Sequence, residues 1–141
     1  MIEQAIQFIR RNSKPEVALE EGTRVEKPTY PEATIREALV NALMHRDYTM
    51  TTRDVQLYLY KDRLEIISPG KLPNSCTVEK IKTGYRSSRN ELVKDILQDY
   101  NYAEAYGLGV PRKIIKLMRE HNGKEPELIE TEDQFTVRLL A

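Results

Sequence analysis

Residues 31–48, PEATIREALVNALMHRDY, restrict the possible folds more than any other stretch, because Glu37, Asn41 and His45 recur every four residues. Each step of four turns about 400° round an α-helix, so these side chains drift by only about 40° per step and form one polar stripe. Ala38 and Ala42 flank the stripe on one side, and Val40 and Met44 flank it on the other. A solvent-facing polar stripe sits among other charges, opposite an apolar face. This one is hemmed in by apolar side chains. An acid, an amide and an imidazole held near the interior need partners. Those partners are either neighbouring loops of the same chain, or a ligand or metal, and spacing alone leaves both readings open.

The flanking patterns define the rest of the layout. Ile2, Ile6 and Ile9, with Ala5 and Phe8, give a short amphipathic helix ending near Asn12 and Pro15. Val17–Glu20 and Arg24–Lys27 read as a weak hairpin turning at Glu21-Gly22. Pro31 suits a first helical position, and the stripe helix runs to about Arg46. Val55, Leu57 and Leu59 alternate with polar or aromatic residues, and Leu64–Ile67 follow Lys61-Asp62-Arg63, which predicts a hairpin with a tight charged turn. Ser68-Pro69-Gly70 is expected to end it. Thr77–Lys82 predicts one or two helical turns, 84–89 a polar loop, and 90–98 a helix. Residues 101–109 are expected to be a flexible connection, and 84–109 as a whole a lid. Val110–Glu120 predicts a helix with Asn122-Gly123 past its end, and Glu127–Thr131 with Phe135–Leu140 a last hairpin. Hairpins imply antiparallel pairing, so the fold class is α+β, with helices packed on one face of a mostly antiparallel sheet.

At 141 residues, 40% of them apolar, the chain is long enough for one core and is read as a single domain over 1–141. Its 22 basic and 22 acidic residues are mixed, without the basic block that marks a nucleic-acid surface. One cysteine, Cys76, excludes an internal disulfide and has no neighbouring Cys or His for a zinc site. The N-terminus lacks the pattern of a signal peptide, and no run approaches the roughly 18 apolar residues that span a membrane. A cytoplasmic location is expected, without membrane partners.

Two further pieces bear on chemistry. Glycine in Ser68-Pro69-Gly70-Lys71-Leu72-Pro73 allows close approach of backbone to a ligand, although alone it is a turn. Glu104-Ala105-Tyr106-Gly107-Leu108-Gly109-Val110-Pro111 leads into a helix whose exposed N–H groups can receive an anion. His45-Arg46-Asp47 matches the kinase catalytic triplet in letters only, because the glycine loop, strand lysine and Asp-Phe-Gly of kinases are absent.

In combination these pieces form a specific order: a helix with Glu and Asn one turn apart, a hairpin ending in a glycine turn, and a Gly-x-Gly segment opening a helix. That order resembles the GHKL-type (Bergerat) ATP-binding fold of DNA gyrase, the MutL proteins and the sensor histidine kinases, a two-layer α/β sandwich. REALVNALMHRDY, DRLEIISPGKLP, the Arg89-Asn90 pair and EAYGLGVPRKI are similar to the C-terminal domain of bacterial proteins described as RecG-like helicases or transcriptional regulators. The resemblance implies a domain excised from a longer regulator, with no helicase motor of its own. It implies ATP and Mg²⁺ as cofactors, with Asn41 as the metal ligand and Glu37 as the residue that orients or deprotonates water. Gly107 and Gly109 would donate backbone N–H groups to phosphate, and Gly70 would let the turn pass under adenine. The wider fold reads adenine with an aspartate two residues before its first glycine, where this chain has Ser68. Serine hydrogen-bonds but supplies no charged acceptor.

The resemblance thus implies a nucleotide-binding domain with at most slow ATP hydrolysis, which meets DNA only through domains outside this sequence. The alternative is a degenerate, non-catalytic module of the same fold, serving as a dimerisation or regulatory platform, with a homodimer among the expected assemblies. Ser68 is its main support.

Overall fold

The computed structural model describes residues 1–73, 76–84, 90–102 and 109–141. Of the predicted lid, 84–109, residues 85–89 and 103–108 lie outside them.

α1, Ile2–Asn12, buries Ile2, Ile6 and Ile9, the spacing of a single helical stripe. β1, Glu16–Glu20, and β2, Thr23–Lys27, form an exposed antiparallel hairpin. α2, Glu32–His45, is the central helix. Pro31 is its N-cap and not its first helical residue, with backbone extended at φ −60° and ψ 134°. α2 buries residues all round, from Ile35 and Ala38 to Leu39, Val40 and Met44, because α1 and the sheet both pack on it.

The sheet runs β3, Gln56–Leu59; β4, Arg63–Pro69; β6, Gln134–Leu140; β5, Glu127–Glu130, in that spatial order and antiparallel throughout. Period-two alternation puts Leu64, Ile66 and Ser68 of β4 on one face, opposite Leu139, Val137 and Phe135 of β6. That face is buried against α2 and the core around it. Glu65 and Arg138 face each other on the other side. The architecture is α+β in two layers, as the hairpin pattern implied.

Two further local details differ from the sequence expectation. β4 does not stop before Ser68: it pairs with β6 through Ser68–Phe135 and Pro69–Gln134. Proline, which has no N–H to give a ladder, stands at the last position of the strand, where its carbonyl accepts from Asp47 N–H at 2.9 Å. The last helix, α5, begins with a π-wound stretch, Val110–Lys116, and continues as an α-helix over Leu117–Asn122. A hydroxyl of α2 meets this stretch. Thr34 Oγ1 donates to the Lys113 carbonyl at 2.6 Å, and Leu117 N–H bonds the Ile114 carbonyl instead.

α3, Val78–Lys82, is capped by Thr77, whose hydroxyl accepts from Lys80 N–H. α4, Glu91–Asp99, packs against α2. Gly123 ends α5 at φ +73°, the left-handed conformation of a helix C-terminus. No helix among the described residues is long and apolar enough to cross a membrane.

Candidate functional site

The stripe on α2 remains polar inside a nearly closed helix. Glu37 is only 9% exposed, and Asn41 is half-buried one turn on. Asn41 Nδ2 donates to Glu37 Oε1 at 2.9 Å and to the Glu37 carbonyl at 3.3 Å. With the amide N–H spent on the acid, Oδ1 is the atom with which Asn41 can meet an outside donor or cation.

Gly109 meets this pair from the other side. A β-carbon on Gly109 would overlap Glu37 Oε1 and Cδ and stand 3.0 Å from Oε2. Only glycine allows the start of α5 to lie this close to the carboxylate. The partial positive charge of a helix start makes that a favourable place for an anion. Glu37 therefore touches both Asn41 and, 72 positions along the chain, Gly109.

Beside Glu37 lies a hollow of about 210 Å³ lined by Glu32, Ala33, Arg36, Asn101, Tyr102 and Lys113. Arg36 forms its wall. It bonds Glu3 and Glu32, and its guanidinium stands 5.6 Å from the centre of the Tyr102 ring. The Arg36 hydrogen bond in turn holds the Glu3 carboxyl below the usual carboxylate range.

Ser68, at the adenine-reading place of the sequence pattern, lies on the inner face of β4. It is 2% exposed, and its hydroxyl donates to the Ala42 carbonyl on α2 at 2.8 Å. The side chain joins sheet to helix. Gly70 follows at φ +91°, with its N–H on the Asp133 carbonyl at 2.8 Å. It lines a separate hollow of about 430 Å³ with Asp47, Met50, Lys71 and Leu72. Gly107 lies outside the described residues, as does Arg89.

Sequence reasoning overlooked Asn90 as a side chain with a task of its own. Preceding α4, it has the identity and place of an N-cap, yet its side chain makes no capping bond there. Its amide reaches back to the end of α2, donating to the carbonyls of Met44 at 2.9 Å and Arg46 at 2.7 Å. Helix-end carbonyls lack intrahelical partners, which is the one local signal that a donor was needed there. His45 sits in that same last turn.

Cys76 is buried, and burial raises its thiol pKa, so the group stays protonated near neutrality. Among the described residues there is no cluster of three or more His, Cys, Asp or Glu that could hold a metal by itself. A cation here would have to be held by few protein ligands, with water and ligand oxygens completing its shell, as Mg²⁺ accepts.

Comparison with known proteins agrees with this geometry at the level of fold. The DIP2311 protein from Corynebacterium diphtheriae, known from a crystal structure, superposes with a TM-score of 0.85 at 24% identity. The match covers 99% of this chain and 28% of that one, so the chain spans little more than a quarter of its neighbour's length. No match was found among curated proteins. Residues 52–139 match the family HATPase_c_4, "Putative ATP-dependent DNA helicase recG C-terminal". That span holds Ser68, Gly70, Gly107 and Gly109 and begins after α2, so Glu37 and Asn41 precede it. As it takes in well over half of the chain, the protein belongs to this family of RecG C-terminal, ATPase-like domains.

Proposed function

We propose that the chain is a Bergerat-type nucleotide-binding domain that grips the Mg²⁺-triphosphate end of ATP, with at most slow hydrolysis, inside a longer DNA-associated transcriptional regulator. The observation that carries this reading is the contact of Glu37 with both Asn41 and Gly109 at the start of α5.

The donor set fits the group at its phosphate end. Asn41 offers one neutral oxygen, suited to a hard cation that keeps most of its water. A Mg²⁺ bound with the triphosphate would neutralise charge on the phosphate oxygens. The N–H groups that open α5 are aligned for an anion. Glu37, oriented by the Asn41 amide, is the carboxylate able to accept a proton from a water held beside it. The base end fits less well. Ser68 is buried and committed to Ala42, so this position offers no carboxylate to an adenine amino group. This predicts affinity that depends on phosphate count more than on the base.

Calorimetry with Mg-ATP, Mg-GTP and Mg-tripolyphosphate tests the reading. Binding of all three at similar, sub-millimolar to millimolar affinity is expected, and it should be lost in Asn41→Ala. No heat from a folded chain at millimolar Mg-ATP would overturn it. The position of Ser68 specifically favours a second reading, a non-catalytic module that keeps the fold as a regulatory platform. That reading requires the folded chain to show neither nucleotide binding nor turnover.

A further inference from the structure

β1 and β2 form a sheet of their own, and among the described residues no third strand pairs with either edge. The chain turns between them at Glu21 and Gly22, both at positive φ, 50° and 77°, which is a two-residue turn of the I′ kind. Such a turn closes on a hydrogen-bonded pair, here Glu20–Thr23. Alternation then makes Ala18–Val25 and Glu16–Lys27 hydrogen-bonded pairs as well. Arg24 and Glu26 are left with their backbone N–H and C=O groups directed to the outer edge of β2. Their side chains are exposed and make no ion pair among the described residues, and Val25 between them is 37% exposed.

An open edge of this kind is a template for another strand. The register that pairs all five residues of β2 with a second β2, antiparallel, has its two-fold axis at Val25. It sets Arg24 opposite Glu26 of the second copy, and Glu26 opposite that copy's Arg24. Those are also the residues whose backbone groups point outward, so both pairs would be hydrogen-bonded. Shifting the axis to Arg24 or Glu26 opposes Arg to Arg or Glu to Glu. The equivalent full register of β1 about Ala18 sets Glu16 opposite Glu20 twice, which is repulsive.

We propose that two copies of this chain associate through their β2 edges, antiparallel about Val25, to form one four-stranded sheet in the order β1-β2-β2-β1. The contact is isologous and closes as a dimer. Each exposed ion pair adds little by itself. Reversing one charge, however, converts two attractions into two repulsions at once.

Sedimentation equilibrium on the chain from micromolar to millimolar concentration tests this, with circular dichroism to verify folding of each variant. Wild type should dimerise. Arg24→Glu and Glu26→Arg should each weaken the dimer about tenfold or more, and the double reversal should restore it to near wild type. A chain that stays monomeric throughout overturns the proposal, as does a dimer indifferent to both single reversals. Restoration by the double variant also excludes misfolding as the cause of the single losses.

Discussion

The carboxylate of Glu37 fills the space where Gly109 would carry a side chain, so the start of α5 is seated directly on the acid of α2. Alanine at position 109 would improve helix propensity by up to about 1 kcal/mol, since this glycine has helical backbone angles. Overlap with a buried carboxylate costs more, about 1–3 kcal/mol. Gly109→Ala is therefore expected to lower the melting temperature by several degrees and to weaken Mg-ATP binding, read by thermal denaturation and calorimetry. An unchanged or higher melting temperature would contradict the close approach.

Asn41 and Glu37 form a pair in which the amide donates to the acid. Asn41→Asp replaces that donor with a second carboxylate one hydrogen-bond length away. Like charges this close cannot both ionise freely, so one pKa of the pair must rise. The variant should be less stable than Asn41→Ala at pH 8 and recover relative to it towards pH 5. Urea titrations at the two pH values provide the comparison.

Ser68 stitches β4 to α2 through the Ala42 carbonyl. Removing its hydroxyl leaves a buried acceptor without this donor, at a cost of about 1–3 kcal/mol. Ser68→Ala should thus destabilise the fold while leaving nucleotide binding, where present, nearly unchanged. A loss of binding without loss of stability would give Ser68 a ligand-reading role.

The elements of this fold are local in origin, and that is why the sequence displays them. The Glu37–Asn41 stripe follows from a helical period, and the faces of β4 and β6 follow from alternation. Ser68 could have been placed by the same rule, since it continues the inward series Leu64, Ile66, but the neighbouring Pro69-Gly70 reads as a turn and masks it. The seat of Gly109 on Glu37 had no such signal, because it depends on how α5 packs across α2. The bond of the Thr34 hydroxyl to the Lys113 carbonyl, in the π-wound start of α5, is equally non-local, spanning 79 positions. The role of Asn90 had no local signal of its own, since it stands where an N-cap would while its amide is claimed by a different helix.

Asn90 is therefore expected to behave as a clamp. Its amide makes two bonds to the end of α2, each worth about 1 kcal/mol, whereas an N-cap loss would loosen only α4. Asn90→Ala should cost about 1–2 kcal/mol and raise hydrogen exchange in the last turn of α2. Asn90→Ser, which preserves a capping hydroxyl but cannot span to Met44 and Arg46, should rescue nothing. Rescue by serine would reassign the residue to α4.

Across the sheet from these helices, burial pushes the Glu65 pKa up, yet Arg63 Nε at 2.9 Å and Arg138 Nε at 2.8 Å outweigh it and leave it below 4.5. The folded state therefore binds that proton more weakly than the unfolded chain. Its contribution is complete above the unfolded carboxylate range near 4.5 and is lost as pH falls through the lower folded value. Stability should accordingly decline in acid below about pH 4.5. Glu65→Gln should cost about 1–3 kcal/mol at pH 7 by weakening two charged hydrogen bonds, and should flatten the acid limb of the stability curve. The carboxylates of Glu125 and Asp133 are also held low by arginines, Arg119 and Arg53. They are exposed and screened, so their variants should leave that limb nearly intact. An acid limb as steep in Glu65→Gln as in the wild type would show that the buried pair is not what couples this sheet to pH.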